Sequence, residues 1–455
     1  MQFRRLGCLL LMCLMGVPLQ ITFAAPDELS LDKAVQLALQ HNPSIDVALQ
    51  QCRQGEGVLQ QARSAYLPQV SLGADYGRQS IDGLTPEDED NVGHGSIALS
   101  QLIYDFGKTT GAIDAGKFSL LATNANLQQS FLDVILLAKE AFYNVLEKQQ
   151  LVEVSRETVT NYEKHLHRAK RYYEAGVRTR VDVTNAQVNL SNARLELVQA
   201  QSNLKSALVS LNRALGSNSK QDAYEVVFEH QPLHLLAQKR PAMSTSLDTL
   251  LTTAVENRPD MQQVQFLVNA AQAKVRQVKG QFLPSLQAKG RYDDYETDLS
   301  SLRDQWSLGV GLTWELFSGF RTQGEMVEAK SRFRELQAGM HELELAVTQE
   351  VTESYLRAEE NSQSVTLADE TLILALENLD LAEGRYKAGL NDMIEFNDAQ
   401  LNLSAARTSL VSAYYGYLVS LARIEKATGV AEGLVLPEDG GLCSSPHWKE
   451  GPIKH

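Results

Sequence analysis

Two kinds of periodicity divide the chain. In Val70-Ser71-Leu72-Gly73-Ala74-Asp75-Tyr76 the even positions are apolar and the odd ones small or polar. Ile97, Leu99 and Ile103 alternate more weakly with Ala98, Ser100 and Leu102. Leu286, Ala288, Gly290 and Tyr292 alternate with Gln287, Lys289 and Arg291, and Trp306, Leu308, Val310, Leu312 and Trp314 with Ser307, Gly309, Gly311 and Thr313. A period of two with one apolar face predicts strands at about 69–78, 95–105, 285–293 and 305–315. Elsewhere the period is helical. Phe131, Val134, Ile135, Ala138, Ala141, Phe142 and Val145 recur at three- and four-residue spacing. No proline lies between Pro86 and Pro232 or between Pro284 and Pro437, and both gaps are rich in strong helix formers. Long helices are predicted at about 108–175, 182–215, 321–388 and 395–428, with shorter ones at about 30–39 and 43–65 and their later equivalents. Gly176 and Gly389 stand where a long helix needs its terminating glycine. At ~1.5 Å per residue the longest helices reach about 100 Å, the dimension of a rod or tube.

The chain is one unit written twice. Leu31-Asp32 recurs as Leu247-Asp248, Asn42-Pro43 as Arg258-Pro259, and Tyr66-Leu67-Pro68 as Phe282-Leu283-Pro284, all 216 residues apart. Lys108-Thr109-Thr110-Gly111 then matches Arg321-Thr322-Gln323-Gly324, Tyr173-Glu174-Ala175-Gly176 matches Tyr386-Lys387-Ala388-Gly389, and Gly216 matches Gly429, at an offset of 213. The three-residue slip falls between Pro68 and Lys108, which marks a loop-bearing region. The copies span 25–216 and 246–429, joined by a linker at 217–245 and followed by a tail at 430–455.

The N-terminus is set aside from the fold. Arg4 and Arg5, the apolar run from Leu6 to Leu19 and the small-x-small end Thr22-Phe23-Ala24 form a secretory signal peptide, with cleavage expected after Ala24. No later stretch reaches the ~18 apolar residues of a transmembrane helix, so membrane crossing is left to β-strands. Nine-residue strands are long enough when tilted, and Tyr76, Tyr292, Trp306 and Trp314 stand near strand ends, where interfacial aromatics belong. Four strands cannot close a barrel, and lipid tolerates no open β edge, so a spanning protein of this kind pools strands from several chains. The connections at 79–91 and 293–303 are acidic and turn-rich and read as exposed loops.

Composition and charge narrow the function. The 455 residues are 44% hydrophobic and 22% charged, ordinary for a folded chain. A net charge of −14 gives no electrostatic reason to bind nucleic acid or anionic lipid. Outside the signal peptide only Cys52 and Cys443 remain, compatible with a disulfide in an oxidising compartment but short of a framework. His165-x-His167 places two imidazoles on different helix faces and reads as solvated helix surface rather than a metal pair. There is no Cys-x-x-Cys, Walker loop or nucleophile elbow. No enzyme, metal or cofactor is therefore expected.

In order and duplication these pieces resemble the TolC family of outer-membrane efflux and secretion channels. The carriers are Leu31-Asp32-Lys33-Ala34 through Asn42-Pro43, Tyr66-Leu67-Pro68, Tyr104-Asp105-Phe106-Gly107-Lys108, Leu316-Phe317-Ser318-Gly319 and the two tip motifs ending in Gly176 and Gly389. The resemblance implies a mainly α fold with a β-barrel portion, each copy giving two transmembrane strands and a long helical hairpin. It implies a homotrimer in the outer membrane of a Gram-negative bacterium, whose twelve strands close one barrel and whose helices form a periplasmic α-barrel. It further implies docking of a periplasmic adaptor and an inner-membrane transporter at Gly176, Val177, Gly389 and Leu390. Glu395 and Asp398 would ring the pore at the tips, and Tyr386 would link to Asp182 to hold the closed state. Asn391 replaces an arginine of the family pattern, and Arg178 or Arg180 are the candidates to substitute for it. Asp182 and Glu395 also fit a simpler role, complementing the dipole of a helix start. The competing reading is an exported coiled-coil rod or adaptor without a pore, which sustained heptads and absent strands would favour.

Overall fold

The structure is a computed structural model and describes residues 28–80, 89–217, 225–226, 233–243, 245–297, 301–388, 390, 393–431 and 443. A short strand, β1 (Glu28–Leu29), leads into α1 (Leu31–His41), capped by the Ser30 side chain. Pro43 cannot extend α1, but its fixed φ suits a first helical turn, so α2 (Pro43–Ser64) starts there at a corner. Strands β2 (Gln69–Ser80) and β3 (Glu89–Tyr104) follow, then the long helices α3 (Lys108–Glu174) and α4 (Arg180–Ala214). The connecting segment holds β4 (Glu225–Val226), parallel to β1, and the single turn α5 (Leu233–Leu236). The second copy then repeats the order: α6 (Leu247–Asn257), α7 (Pro259–Gly280), β5 (Ser285–Thr297), β6 (Ser301–Thr313), α8 (Arg321–Lys387) and α9 (Met393–Thr428). α1 and α6 both have 11 residues, α2 and α7 both 22, and α3 and α8 both 67. The start of α3 is capped by Asp105, whose Oδ2 accepts from the Thr109 N–H at 2.7 Å; Ser318 does the same for Thr322 in α8 at 3.4 Å.

The four longer strands form one antiparallel sheet in the order β2-β3-β5-β6, so β3 of the first copy pairs with β5 of the second. Register puts Val70 opposite Leu99, Leu72 opposite Ile97, Tyr292 opposite Trp306 and Ala288 opposite Val310, which gathers the apolar side chains on one face. A register shift between Leu102 and Tyr104 breaks the alternation in β3, which is why the pattern is weak there. The strands outrun the alternating segments. Asp90 pairs with Gln79, Gln305 with Asp293 and Ser301 with Thr297, so much of the two acidic stretches expected to be loop is ladder. The ladder is made of backbone groups, and an acidic sequence does not stop it. Residues 81–88 and 298–300, the rest of those connections, lie outside the described residues.

α3 packs on α4 and α9, and α9 on α8, which orders the helical layer α4-α3-α9-α8 with α4 and α8 at its edges. α2 and α7 lie against the sheet-proximal part of α3, where Arg276 reaches Asp114 at 2.9 Å, and α7 also meets α8. The far end of each hairpin returns to the α1–α2 or α6–α7 corner. Gly216 (φ +71°) and Gly429 (φ +73°) make that return possible, since a Cβ at Gly216 would lie 2.2 Å from the His41 carbonyl oxygen. Polar anchors complete both corners: Asn42 Nδ2 donates to the Ala214 carbonyl at 2.9 Å, and Arg258 Nη1 to the Ala427 carbonyl at 3.0 Å. Cys52 of α2 and Cys443 are disulfide-bonded with Cα atoms 5.5 Å apart, which ties the tail to the core of the first copy. The signal peptide expected over residues 1–24 lies outside the described residues.

Candidate functional site at the helix tips

Each hairpin turns at a glycine-containing tip. In the first, Gly176 adopts φ +72°, and the N–H groups of Gly176 and Val177 return to the carbonyls of Tyr173 and Tyr172. Val177 and Val181 are exposed there, as are Leu390 and Ile394 at the second tip, so four apolar side chains cap the end of the molecule. Gly389 and Asn391 lie outside the described residues.

The two tips are packed together. Ala169 of α3, Ala186 of α4, Tyr386 of α8 and Met393 of α9 share one buried cluster. Tyr386 is 1% exposed and its hydroxyl has no hydrogen-bond partner, while the guanidinium of Arg178 lies 5.0 Å above its ring. Burial raises the tyrosine pKa, as does the Asp182 carboxylate, against the opposing pull of Arg178. Asp182 itself accepts from the Thr179 N–H at 3.0 Å and hydroxyl at 3.1 Å, as the carboxylate of a capping box. The tyrosine–aspartate hydrogen bond implied by resemblance is thus not made in this packing: Asp182 is engaged by its own helix start. Of the two candidate arginines, Arg178 is the one that lies over the Tyr386 ring. Glu395 is exposed and lies 3.6 Å from Arg385, and Asp398 is exposed one turn further along α9.

Sequence reasoning missed the seam between hairpins. Arg168 of α3 reaches Glu383 of α8 at 2.8 Å, Glu157 of α3 accepts from Arg407 of α9 at 2.8 Å, and Glu140 accepts from Arg423 at 2.8 Å. These pairs cross more than 200 residues of sequence, so no local spacing announces them. His165 departs from the solvated surface expected of it. Its ring is 2% exposed and stacks on Phe396 with centroids 4.3 Å apart, whereas His167 is exposed as expected. The helix stripe turns His165, not His167, toward the partner hairpin.

The sheet has two contrasting faces. Tyr76, Trp306, Leu308, Val310, Leu312 and Trp314 are exposed on the apolar one. Trp306 and Trp314 are eight residues apart, about 26 Å along a strand and about 20 Å of height at a tilt near 40°, which fits inside the roughly 25 Å apolar band of an outer-membrane barrel. Tyr292 pairs across the ladder with Trp306, and Trp314 Nε1 donates to the Phe282 carbonyl at 3.1 Å. The opposite face is polar: His94 places Nδ1 3.0 Å from Asp75 and Nε2 2.9 Å from Asp293, which Arg291 joins at 2.7 Å. This network spans β2, β3 and β5 and so ties the two copies together. Among the described residues no helix is long and apolar enough to cross a membrane, and no group of three or more His, Cys, Asp or Glu is placed to hold a metal.

The structure thus joins a short sheet, apolar on one face and polar on the other, to helices of about 100 Å. The model of the family described as "Outer membrane efflux protein" matches residues 34–217 and again 250–430, and the chain belongs to that family. The chain is 23% identical over 416 residues to the alkaline protease secretion protein AprF of Pseudomonas aeruginosa, covering 87% of this chain and 83% of AprF. It is 24% identical over 404 residues to the outer membrane protein TolC of Vibrio cholerae, covering 84% of this chain and 86% of TolC. The fold matches the crystal structure of the outer membrane protein VceC of Vibrio cholerae with a TM-score of 0.77 at 18% identity, over 88% of this chain and 96% of VceC. The protein is accordingly an outer-membrane protein with a large periplasmic helical part, in a family of channels and not of enzymes.

Proposed function

We propose that three copies of the chain assemble into a passive exit duct, the outer-membrane component of an efflux pump or a type I secretion system. The carrying observation is the open sheet: among the described residues β2 and β6 each have one unpaired edge, and the apolar face is exposed. Three such sheets supply twelve strands, enough to close a barrel with no edge left in lipid. The helical layer is equally incomplete, because its edge helices α4 and α8 carry exposed apolar side chains along their length. The exposed apolar tips Val177 and Leu390 suit docking of a periplasmic adaptor, which in turn engages an inner-membrane transporter that supplies the energy. Glu395 and Asp398, both exposed beside the second tip, would form carboxylate rings that favour cations.

The test is mass and conductance together. Protein extracted from outer membranes in detergent is expected at three times the chain mass and to form cation-selective channels in planar bilayers. Glu395→Gln with Asp398→Asn is expected to lower that selectivity at unchanged mass. A stable monomer refutes the shared barrel; unchanged selectivity refutes the rings alone.

A further inference from the structure

His165 occupies a site where an apolar residue would pack better. Neither of its ring nitrogens has a hydrogen-bond partner, although the residue is 2% exposed. Phe396 of α9 stacks on one side, and Tyr386 of α8 lies 5.6 Å away, so an imidazole of the first copy is wedged against both helices of the second. Tyr386 in turn meets Tyr172 at 6.2 Å and carries Arg178. Leucine or phenylalanine would fill this volume without two orphaned polar atoms. What the imidazole adds is a charge that acid switches on.

We propose that His165 is an acid-released latch across the seam: as the neutral ring it lets the two hairpins close on each other at the tips, and as imidazolium it drives them apart. The functional consequence, a tip gate that loosens on acidification, rests on the duct reading above. The surroundings favour the neutral ring when packed. Burial is the main cause, Arg168 of α3 adds to it and Glu383 of α8 opposes it, holding the pKa at about 4. Glu383 is itself engaged by Arg168 and by Lys387 at 3.0 Å. From α9 the ring meets Phe396, while Glu395 and Asp398 are exposed, the former beside Arg385. From α4 Asp182 is held by Thr179, and from the tip turn Arg178 is held over Tyr386.

The sign follows from linkage. A histidine with a packed value of about 4 and an ordinary value of 6.5 when released binds more protons in the released state. Packing is fully favoured above pH 6.5 and weakens as pH falls toward 4. Between pH 7 and 5 the packed-to-released ratio is expected to fall about 20-fold.

The seam can be read without the pore. Ala169, fully buried one turn from His165, is replaced by cysteine in the full-length protein, and its alkylation rate is measured relative to a cysteine at exposed Thr184. The ratio cancels the thiol's own pH dependence. It is expected to rise about 20-fold from pH 7 to 5 with His165 present, to stay flat in His165→Phe, and to rise unchanged in His167→Gln. If His165→Phe does not assemble, His165→Gln gives the same comparison. A flat ratio in the parent, or an equal rise in the His165 variants, overturns the latch. A His165-dependent rise with no change in single-channel conductance upholds the latch and overturns the tip gate instead.

Discussion

Arg258→Met is expected to destabilise the chain by about 2–3 kcal/mol, because it removes the shared donor of two half-buried carboxylates, one of which keeps Lys426. Arg258 is 4% exposed at the α6–α7 corner. Its guanidinium lies 2.6 Å from Asp260 and 2.7 Å from Glu350 of α8 and donates to the last turn of α9. Lys426 adds a second cation on Glu350 at 2.9 Å. Methionine would leave both carboxylates and the Ala427 carbonyl short of their main donor. The pH dependence has a defined sign. Burial pulls Asp260 and Glu350 upward, but hydrogen bonds from Arg258, and from Lys426 to Glu350, outweigh it and hold both below the usual carboxylate range. Their contribution is therefore present at neutral pH and is lost as pH falls below the ordinary carboxylate values; in Arg258→Met most of that loss should disappear.

The first copy shows how the same corner works without ions. At the positions equivalent to Arg258, Asp260 and Glu350 it has Asn42, Ser44 and Leu137. Asn42 donates to Ala214 and accepts from the Ser44 N–H at 2.9 Å. The triple variant Arg258→Asn, Asp260→Ser, Glu350→Leu is expected to recover most of the stability lost in Arg258→Met, because no half-buried carboxylate is left short of its donor. Denaturant unfolding followed by helical circular dichroism compares the three proteins. An Arg258→Met protein as stable as the parent would show the corner is held by packing alone.

This corner also marks the limit of what the sequence discloses. The duplication, the proline corners and the long helices were legible because each depends on local rules: a fixed φ, a missing N–H, a 3.6-residue stripe. The apolar face of the sheet was legible for the same reason, down to Trp306 and Trp314. What could not be read are pairings whose partners sit far apart in sequence. Arg258 with Glu350 and Arg168 with Glu383 become neighbours only after the hairpins fold back. His165 belongs with these. Solvated surface and buried seam differ by one helical position, and the facing helix is over 200 residues away. At the tips, local logic prevailed over the family analogy: Asp182 obeys the capping rule for a helix start.

Leu374→Glu combined with Leu381→Glu is expected to abolish assembly altogether, leaving monomers by sedimentation in detergent. Exposed apolar residues on α8 include Leu367, Leu374 and Leu381, and on α4 Val181, Val188 and Leu195, in both cases seven residues apart. That is the spacing of a coiled-coil seam, yet among the described residues neither stripe has a covering helix, because α4 and α8 are the two ends of the layer. A stripe at each edge is what a head-to-tail ring requires, and a rotation that closes buries both in every chain. Each leucine so buried contributes about 1.5–3 kcal/mol, and a carboxylate in its place brings a desolvation cost besides. A closed ring of three repeats the damage at every joint, which is why two substitutions suffice. Counted from the tips, Leu374 lies between the levels of Val188 and Leu195. Val188→Lys with Leu195→Lys in the same chain should therefore restore part of the assembly by setting opposite charges across the joint. Full assembly of the glutamate variant would mean that the two edges never meet and that the copies are joined through the sheet alone.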